Sequence, residues 1–580
     1  MLLFLLSGTL LSVRAHFGYF FNDEPFIVSL AQRFLWGADL IVDEWNTTQN
    51  FGVLLLPLYK AYVTLTGSTE GILLTFRILY AFMWAGVCTL VYGIIRQKYS
   101  GGFVVFCYLI LFSPLDQMTL SYTSVSLSCC LLIAGLFLYH LEVKPLGLLP
   151  FTAAYTVLSV IAVISLPYMA LVYVLTAAGI AVVHLVRRTE ATKLLFRANL
   201  ISCIFAAAMA VAYLYGFVLD TNSLSAVLEN LGYIFHPDYN ESTSFFYNTL
   251  RFGWWILKNY HYAVALTGVT VLLSFHPGIR ENPGRKYGLF LVNALVYFLR
   301  IGQLVLTCHQ PKFNFQMMPI VFLGVAAFFL LENQKKYLPL FGSFVVYGAL
   351  YALMFFQASD TVGAAVSMGM SVCGVAGIVF IAELGKQFGR YADDLDAGGG
   401  SRGKVRLIAC TVALVFFAQI SLQVLLKEER HYWDVPVRNM RSTVSVGAGK
   451  GIWTSQHQKE PYETRNESLQ NLKKYVDPQK KQNVRFLSMI SAPVLYLDAD
   501  FPVGAFSTWT FLEDDLLLKR LNMYYSVNPD MVPNVIFQLT EDTRTRELCI
   551  DLSEYRTFTD GQYSILIAPE FVSTESVPRT

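Results

Sequence analysis

The chain has 580 residues, 55% of them hydrophobic and 14% charged, with a mean hydropathy of +0.48. That balance is too apolar for an ordinary soluble domain and reads as a polytopic membrane protein. The formal net charge of +2 comes without a basic block or interleaved basic and aromatic residues, which argues against a nucleic-acid partner.

Residues 1–13 are almost wholly apolar but short for a crossing. No small-residue cleavage site precedes Arg14, so they read as a short or N-terminally truncated first transmembrane helix. The loop at 14–70 follows, with one acidic pair at Asp23-Glu24 and a second at Asp43-Glu44. Apolar runs then recur at 71–95, 103–112, 120–140, 146–165, 168–186, 194–218, 262–275, 287–307, 317–331, 337–356, 362–382 and 405–426. The total is about thirteen crossings; 103–112 and 262–275 fall short of a full span.

The basic residues of the short connections (Arg96 and Lys98; Arg187, Arg188 and Lys193; Arg280, Arg285 and Lys286; Lys335 and Lys336; Lys386, Arg390, Arg402 and Lys404) all fall on one side. The excess of Lys and Arg predicts a cytoplasmic location for that side and for the N-terminus, in a multi-pass plasma-membrane protein. The loop at 14–70 and everything after residue 426 are then extracytoplasmic. Most cysteines lie in apolar runs, where Cys behaves as a small hydrophobe, and Cys308 and Cys549 have no metal-ligand spacing. The glycine-rich stretch at 397–403 reads as a flexible linker.

Residues 427–580 change character. Strand-like runs at 451–454, 484–490, 494–497, 535–538 and 563–567 alternate with helical patterns at 467–476 and 512–525. This predicts a C-terminal extracytoplasmic α/β domain with a mainly parallel sheet, beside a transmembrane domain at 1–426. The sequence Gly447-Ala448-Gly449-Lys450-Gly451 lacks both Walker and dinucleotide-binding spacing and reads as a turn entering a strand.

Carboxylates fixed where the chain leaves a membrane are costly unless they meet water, an ion or a substrate. Around Asp23-Glu24, Pro25 in a first turn and Phe26, Ile27, Leu30 and Phe34 at helical spacing predict an amphipathic interfacial helix ending at Gly37. Asp23 would cap it and Glu24 would compensate its dipole, roles compatible with a catalytic carboxylate. Asp43 and Glu44 are candidate metal ligands or substrate contacts, or simply solvated loop residues. Asp116, in the next external loop, is a candidate substrate contact or a turn residue. Arg77, Arg300 and Lys312 are candidate cations for an anionic lipid phosphate; for the intramembrane arginines, snorkelling and structural pairing with an acid compete.

An Asp-Glu pair after the first helix, an amphipathic external helix, many crossings and a C-terminal external domain together resemble the GT-C glycosyltransferase superfamily. The similarity is nearest to bacterial aminoarabinose transferases, protein mannosyltransferases and related family-39-type enzymes. The motifs that carry it are Asn22-Asp23-Glu24-Pro25 and Gly52-Val53-Leu54-Leu55-Leu56-Pro57-Leu58-Tyr59. The resemblance implies a polyprenyl-phosphate sugar donor and an extracytoplasmic acceptor: lipid, wall polymer or protein. It implies Asp23 as general base accompanied by Glu24, Asp43 or Glu44 as a second acidic position, and Asp116 as a further one. Arg300 and Lys312 match by topology as clamps for the donor phosphate, and any divalent cation would be magnesium or manganese. Phe252-Gly253-Trp254-Trp255 is not the WWD signature of oligosaccharyltransferases, which argues against protein N-glycosylation. The competing readings are a lipid-linked sugar flippase or transporter and a non-catalytic envelope polysaccharide assembly protein; no inverted repeat favours the transporter.

Overall fold

The computed structural model describes residues 1–19, 23–46, 50–112, 118–219, 222–234, 245–307, 316–359, 362–395, 402–429, 434–510 and 515–574. The membrane part begins with α1 (Leu2–Arg14); two helices of the first loop follow, α2 (Asp23–Leu35) and α3 (Asn50–Thr66). Then come α4 (Ile72–Ile95), α5 (Gly102–Ile110), α6 (Tyr122–Leu138), α7 (Leu148–Ser165), α8 (Met169–Arg187), α9 (Glu190–Leu214) and α10 (Leu224–Ile234). The remaining helices of this part are α11 (Phe245–Ser274), α12 (Pro277–Arg280), α13 (Pro283–Leu306), α14 (Met318–Leu330), α15 (Gln334–Leu340), α16 (Tyr347–Ser359), α17 (Val362–Leu395) and α18 (Arg402–Glu429). Among the described residues nine helical stretches are long and apolar enough to cross a membrane, and α1 and α14 are shorter apolar helices. The protein is a multi-pass α-helical membrane protein.

The weak run at 262–275 is the second half of α11. Its first half carries Arg251, Lys258 and His261, which hid it from the hydropathy pattern. The helix breaks at Tyr260 (φ −129°, ψ 24°), and the Asn259 carbonyl accepts a hydrogen bond from Arg300 Nη2 at 2.9 Å. α17 runs through the centre of the bundle, because small residues let its neighbours approach closely. A Cβ on Gly369 would stand 2.2 Å from the Cβ of Ala352 on α16, and one on Gly324 of α14 would stand 2.2 Å from the Cα of Gly377.

The C-terminal unit has a two-stranded ladder, β1 (Ser442–Thr443) with β2 (Trp453–Thr454), closed by the turn at 447–451 with Gly447 and Gly451 at positive φ. Its main sheet uses β3 (Phe486–Ser488), β4 (Val535–Leu539), β5 (Arg556–Asp560) and β6 (Tyr563–Ile567) in the order β3-β4-β6-β5. Only β3 and β4 are parallel; β4–β6 and β5–β6 are antiparallel, so the sheet is mixed and the mainly parallel expectation is corrected. The overlooked signal was Asp560-Gly561, a hairpin dipeptide whose glycine sits at φ +59° between β5 and β6. Helices α19 (Gln456–Tyr475), α20 (Val494–Ala499) and α21 (Asp515–Val527) cover the sheet. The run at 494–497, expected as a strand, is the wholly buried α20. A short apolar run has no periodicity to separate strand from buried helix.

Candidate functional site

The first loop is clasped between the bundle and the C-terminal unit. Backbone bonds link Gly18 N to Trp453 O at 2.7 Å and Trp453 N to His16 O at 2.6 Å. Gly71 N and Leu73 N donate to the carbonyls of Gly447 and Ala448 in the glycine turn. Gln32 Nε2 donates to Tyr496 O at 3.0 Å, and Thr69 Oγ1 to Leu497 O at 3.0 Å.

These contacts change the character of α2. It ends as expected before Gly37 (φ +86°), but every residue from Glu24 to Arg33 is buried. The helix is therefore not an interfacial one with a solvated polar face: that face is covered by α20 and its neighbours. Asp23, at the start of α2, is part-exposed and lies in electrostatic contact with Tyr122, the first residue of α6. Around Tyr122 the N-terminus of α6 carries a hydroxyl cluster: Ser121 Oγ lies 2.6 Å from Thr123 Oγ1, and Ser121 and Ser124 form a reciprocal cap. Thr119 Oγ1 is buried there without a hydrogen-bond partner among the described residues.

Glu24 and Arg77 form a bidentate pair, both side chains fully buried: Nε to Oε1 is 2.6 Å and Nη2 to Oε2 is 2.5 Å. Arg77 Nη1 donates to the carbonyls of Ala15 at 3.0 Å and Gly18 at 2.8 Å. The guanidinium fork is thus committed to Glu24 and to the end of α1. That corrects Arg77 from a phosphate clamp to a structural cation, and gives Glu24 the task of fixing the start of α2.

Glu44 is equally engaged. Its carboxylate takes Arg33 Nε at 2.7 Å, the Ser507 amide at 3.0 Å to each oxygen, Ser507 Oγ at 2.7 Å and the Asn46 amide at 3.1 Å. Asp43 Oδ2 accepts from the Asp39 amide at 2.7 Å, and the Asp43 carbonyl from Tyr524 Oη at 2.9 Å. Burial pushes the Asp43 carboxyl up to about 6, with nearby Asp39 adding to the rise against the Asp39 amide, Arg485 and Arg33. The two carboxylates do not converge, and no group of three or more His, Cys, Asp or Glu among the described residues is arranged to hold a metal. In the structure each is taken up by protein donors instead.

Arg300 lies over the Tyr260 ring at 5.4 Å and donates from Nη1 to Gln303 Oε1 at 2.5 Å. It borders a space of about 10 Å³ between α11, α13 and α14, room for about one water. Asp116 and Lys312 lie outside the described residues.

Sequence reasoning missed the groove between α7, α8 and α9, which has a volume of about 800 Å³ and an almost entirely apolar lining. At its outer end Tyr213 Oη donates to Asn50 Oδ1, on the first residue of α3, at 2.8 Å. α3 packs on α2, so the helix that carries Asp23 touches the helix that closes the groove. The exposed apolar residues of α8 and α9 were the available signal, but in a membrane span they are indistinguishable from lipid-facing ones.

No family model and no curated protein sequence matches the chain. Among solved structures it is similar to the archaeal oligosaccharyltransferase AglB from Archaeoglobus fulgidus in complex with an inhibitory peptide and a dolichol-phosphate. The match has 11% identity, a TM-score of 0.47, and covers 100% of this chain and 75% of that one. It is also similar to ArnT from Cupriavidus metallidurans bound to undecaprenyl phosphate, at 9% identity and a TM-score of 0.47, covering 97% of each chain.

Proposed function

We propose that the chain is a membrane glycosyltransferase of the GT-C type that moves a sugar from a polyprenyl-phosphate donor to an acceptor. The observation that carries this reading is the position of Asp23. It is the part-exposed carboxylate at the head of a helix that is otherwise buried through Arg33, anchored one residue later by Glu24–Arg77. A base needs a fixed direction and access from solvent, and a part-exposed residue at the head of an anchored helix supports both.

In the proposed reaction an acceptor hydroxyl or amine gives its proton to the Asp23 carboxylate as its oxygen or nitrogen bonds to the anomeric carbon. The bond from that carbon to the phosphate oxygen breaks, and the lipid phosphate leaves with the electron pair. The positive end of the α2 dipole lies at Asp23. The apolar groove is a fitting berth for the isoprenoid tail, and Arg300 and Lys312 would neutralise the leaving phosphate.

The test is transfer by the purified protein from a panel of labelled polyprenyl-phosphate sugars. Asp23→Asn is expected to lower the rate by about 10²–10⁴-fold with folding and insertion unchanged. Transfer at the normal rate by that variant would refute the assignment. Arg300→Gln is expected to lower transfer by roughly ten- to a hundredfold, the worth of one charge-assisted contact.

A further inference from the structure

A second polar cavity lies at the other end of the bundle, where the turn between α11 and α13 meets the turn between α14 and α15. Its volume is about 250 Å³, and Arg280, Lys286 and Lys335 line it against a single carboxylate, Glu332. Lys286 sits one turn inside α13, whose start is held by Pro283 and by the Asn282 side chain accepting from the Arg285 amide at 3.1 Å. That start turns the Lys286 side chain inward, leaving the residue 7% exposed.

The burial is the unusual part. Among the described residues its ammonium makes no hydrogen bond or ion pair; the charged groups nearby are Glu332, exposed at the rim, and Arg280, which repels it. The stem of Lys286 is packed in the protein while its ammonium opens to the cavity, where an anion would meet it. Arg280 and Lys335 are exposed and add two further cations to the same cavity. Three cations around one carboxylate match a phosphate better than a carboxylate-bearing ligand with no further donors. The flank of the cavity is apolar: Phe275 is 63% exposed and Leu272, one turn earlier on α11, is 73% exposed. Side chains so placed at the end of a membrane helix meet acyl chains.

We infer that this cavity binds the phosphate headgroup of an anionic phospholipid, in the leaflet opposite the C-terminal unit. The phosphate bridges Lys286 and Arg280, Lys335 closes the rim, and Glu332 accepts from a headgroup hydroxyl. Basic pockets between transmembrane helices recognise lipid headgroups by this combination of charge and apolar flank. The inference is independent of the sugar-transfer reading, because it concerns the opposite end of the bundle.

The experiment follows the melting temperature of the detergent-purified full chain against short-chain phosphatidylglycerol, phosphatidylcholine and inorganic phosphate. Phosphatidylglycerol is expected to raise the melting temperature saturably, and the other two to leave it unchanged. Arg280→Gln, at an exposed position, is expected to raise the midpoint phosphatidylglycerol concentration by roughly tenfold. Lys286→Met is expected to abolish the shift while leaving the lipid-free protein as stable or more so, since Met keeps the packed stem and loses only the ammonium. An unchanged phosphatidylglycerol response in both variants overturns the site. An equal response to phosphatidylcholine overturns the charge requirement, and an equal response to inorganic phosphate overturns the lipid as its source.

Discussion

At the scale of single residues, adjacent carboxylates divide the work. Asp23 and Glu24 are neighbours in sequence, yet one is part-exposed and the other is sealed against Arg77. Removing one partner of a buried pair strands the other charge, so Arg77→Met is expected to cost about 3–5 kcal/mol of stability. The same change in an exposed pair such as Lys450–Glu70 is expected to cost at most about 1 kcal/mol. Thermal unfolding of the two variants side by side measures the contrast. Two other carboxyls set a pH dependence. Burial raises Asp43 to about 6 and does the same to Asp498, against the donors Ala448 N, Tyr462 and Asn466. A raised carboxyl contributes stability that is complete below its unfolded value near 3.8 and is lost as pH rises through about 6. Melting temperature should therefore fall between roughly pH 3.8 and 6. Asp43→Asn and Asp498→Asn should each flatten that slope. Asp542, held below its usual range by Arg544 despite its own burial, titrates at lower pH.

At the scale of elements, the loop at 14–70 is built by close approach. A Cβ at Gly52 of α3 would stand 2.6 Å from Phe34 Cε2 and 2.9 Å from Leu30 Cβ on α2. Gly52→Ala is expected to cost roughly 1–3 kcal/mol by overpacking and to lower transfer, because α2 carries Asp23. Gly93→Ala in α4, where nothing lies within 4 Å, is expected to leave both melting temperature and transfer unchanged. The membrane helices were legible because long apolar runs between charged turns have one physical solution in a bilayer. α3 was not, since Pro57 interrupts its pattern. The helix at 494–497 and the hairpin at Asp560-Gly561 were misread or missed because four or five residues of mixed apolar character do not declare a period.

For the whole molecule, the acidic pairs were visible in the sequence, and every partner they have was not. Glu24 meets Arg77 53 residues away and Glu44 meets Ser507 463 residues away, separations that no local pattern encodes. Arg33 gave a faint signal as a lone cation in an apolar helix. Deleting residues 434–580 keeps Asp23, Arg300 and the groove, yet uncovers Gln32, Arg33 and Glu44 together. Such a chain is expected to lose transfer and to become open to proteolysis within 24–46, whereas the full chain resists cleavage there. The Glu44–Ser507 clasp also sets a timetable. At the ribosome's pace of about 5–20 residues per second, the intervening chain takes on the order of half a minute to a minute and a half to emerge. During that interval the loop waits, with α2 uncovered, for the residues around Ser507. A chain that has not yet reached Ser507 therefore cannot present the finished loop, and synthesis of that distant segment becomes the step that arms it.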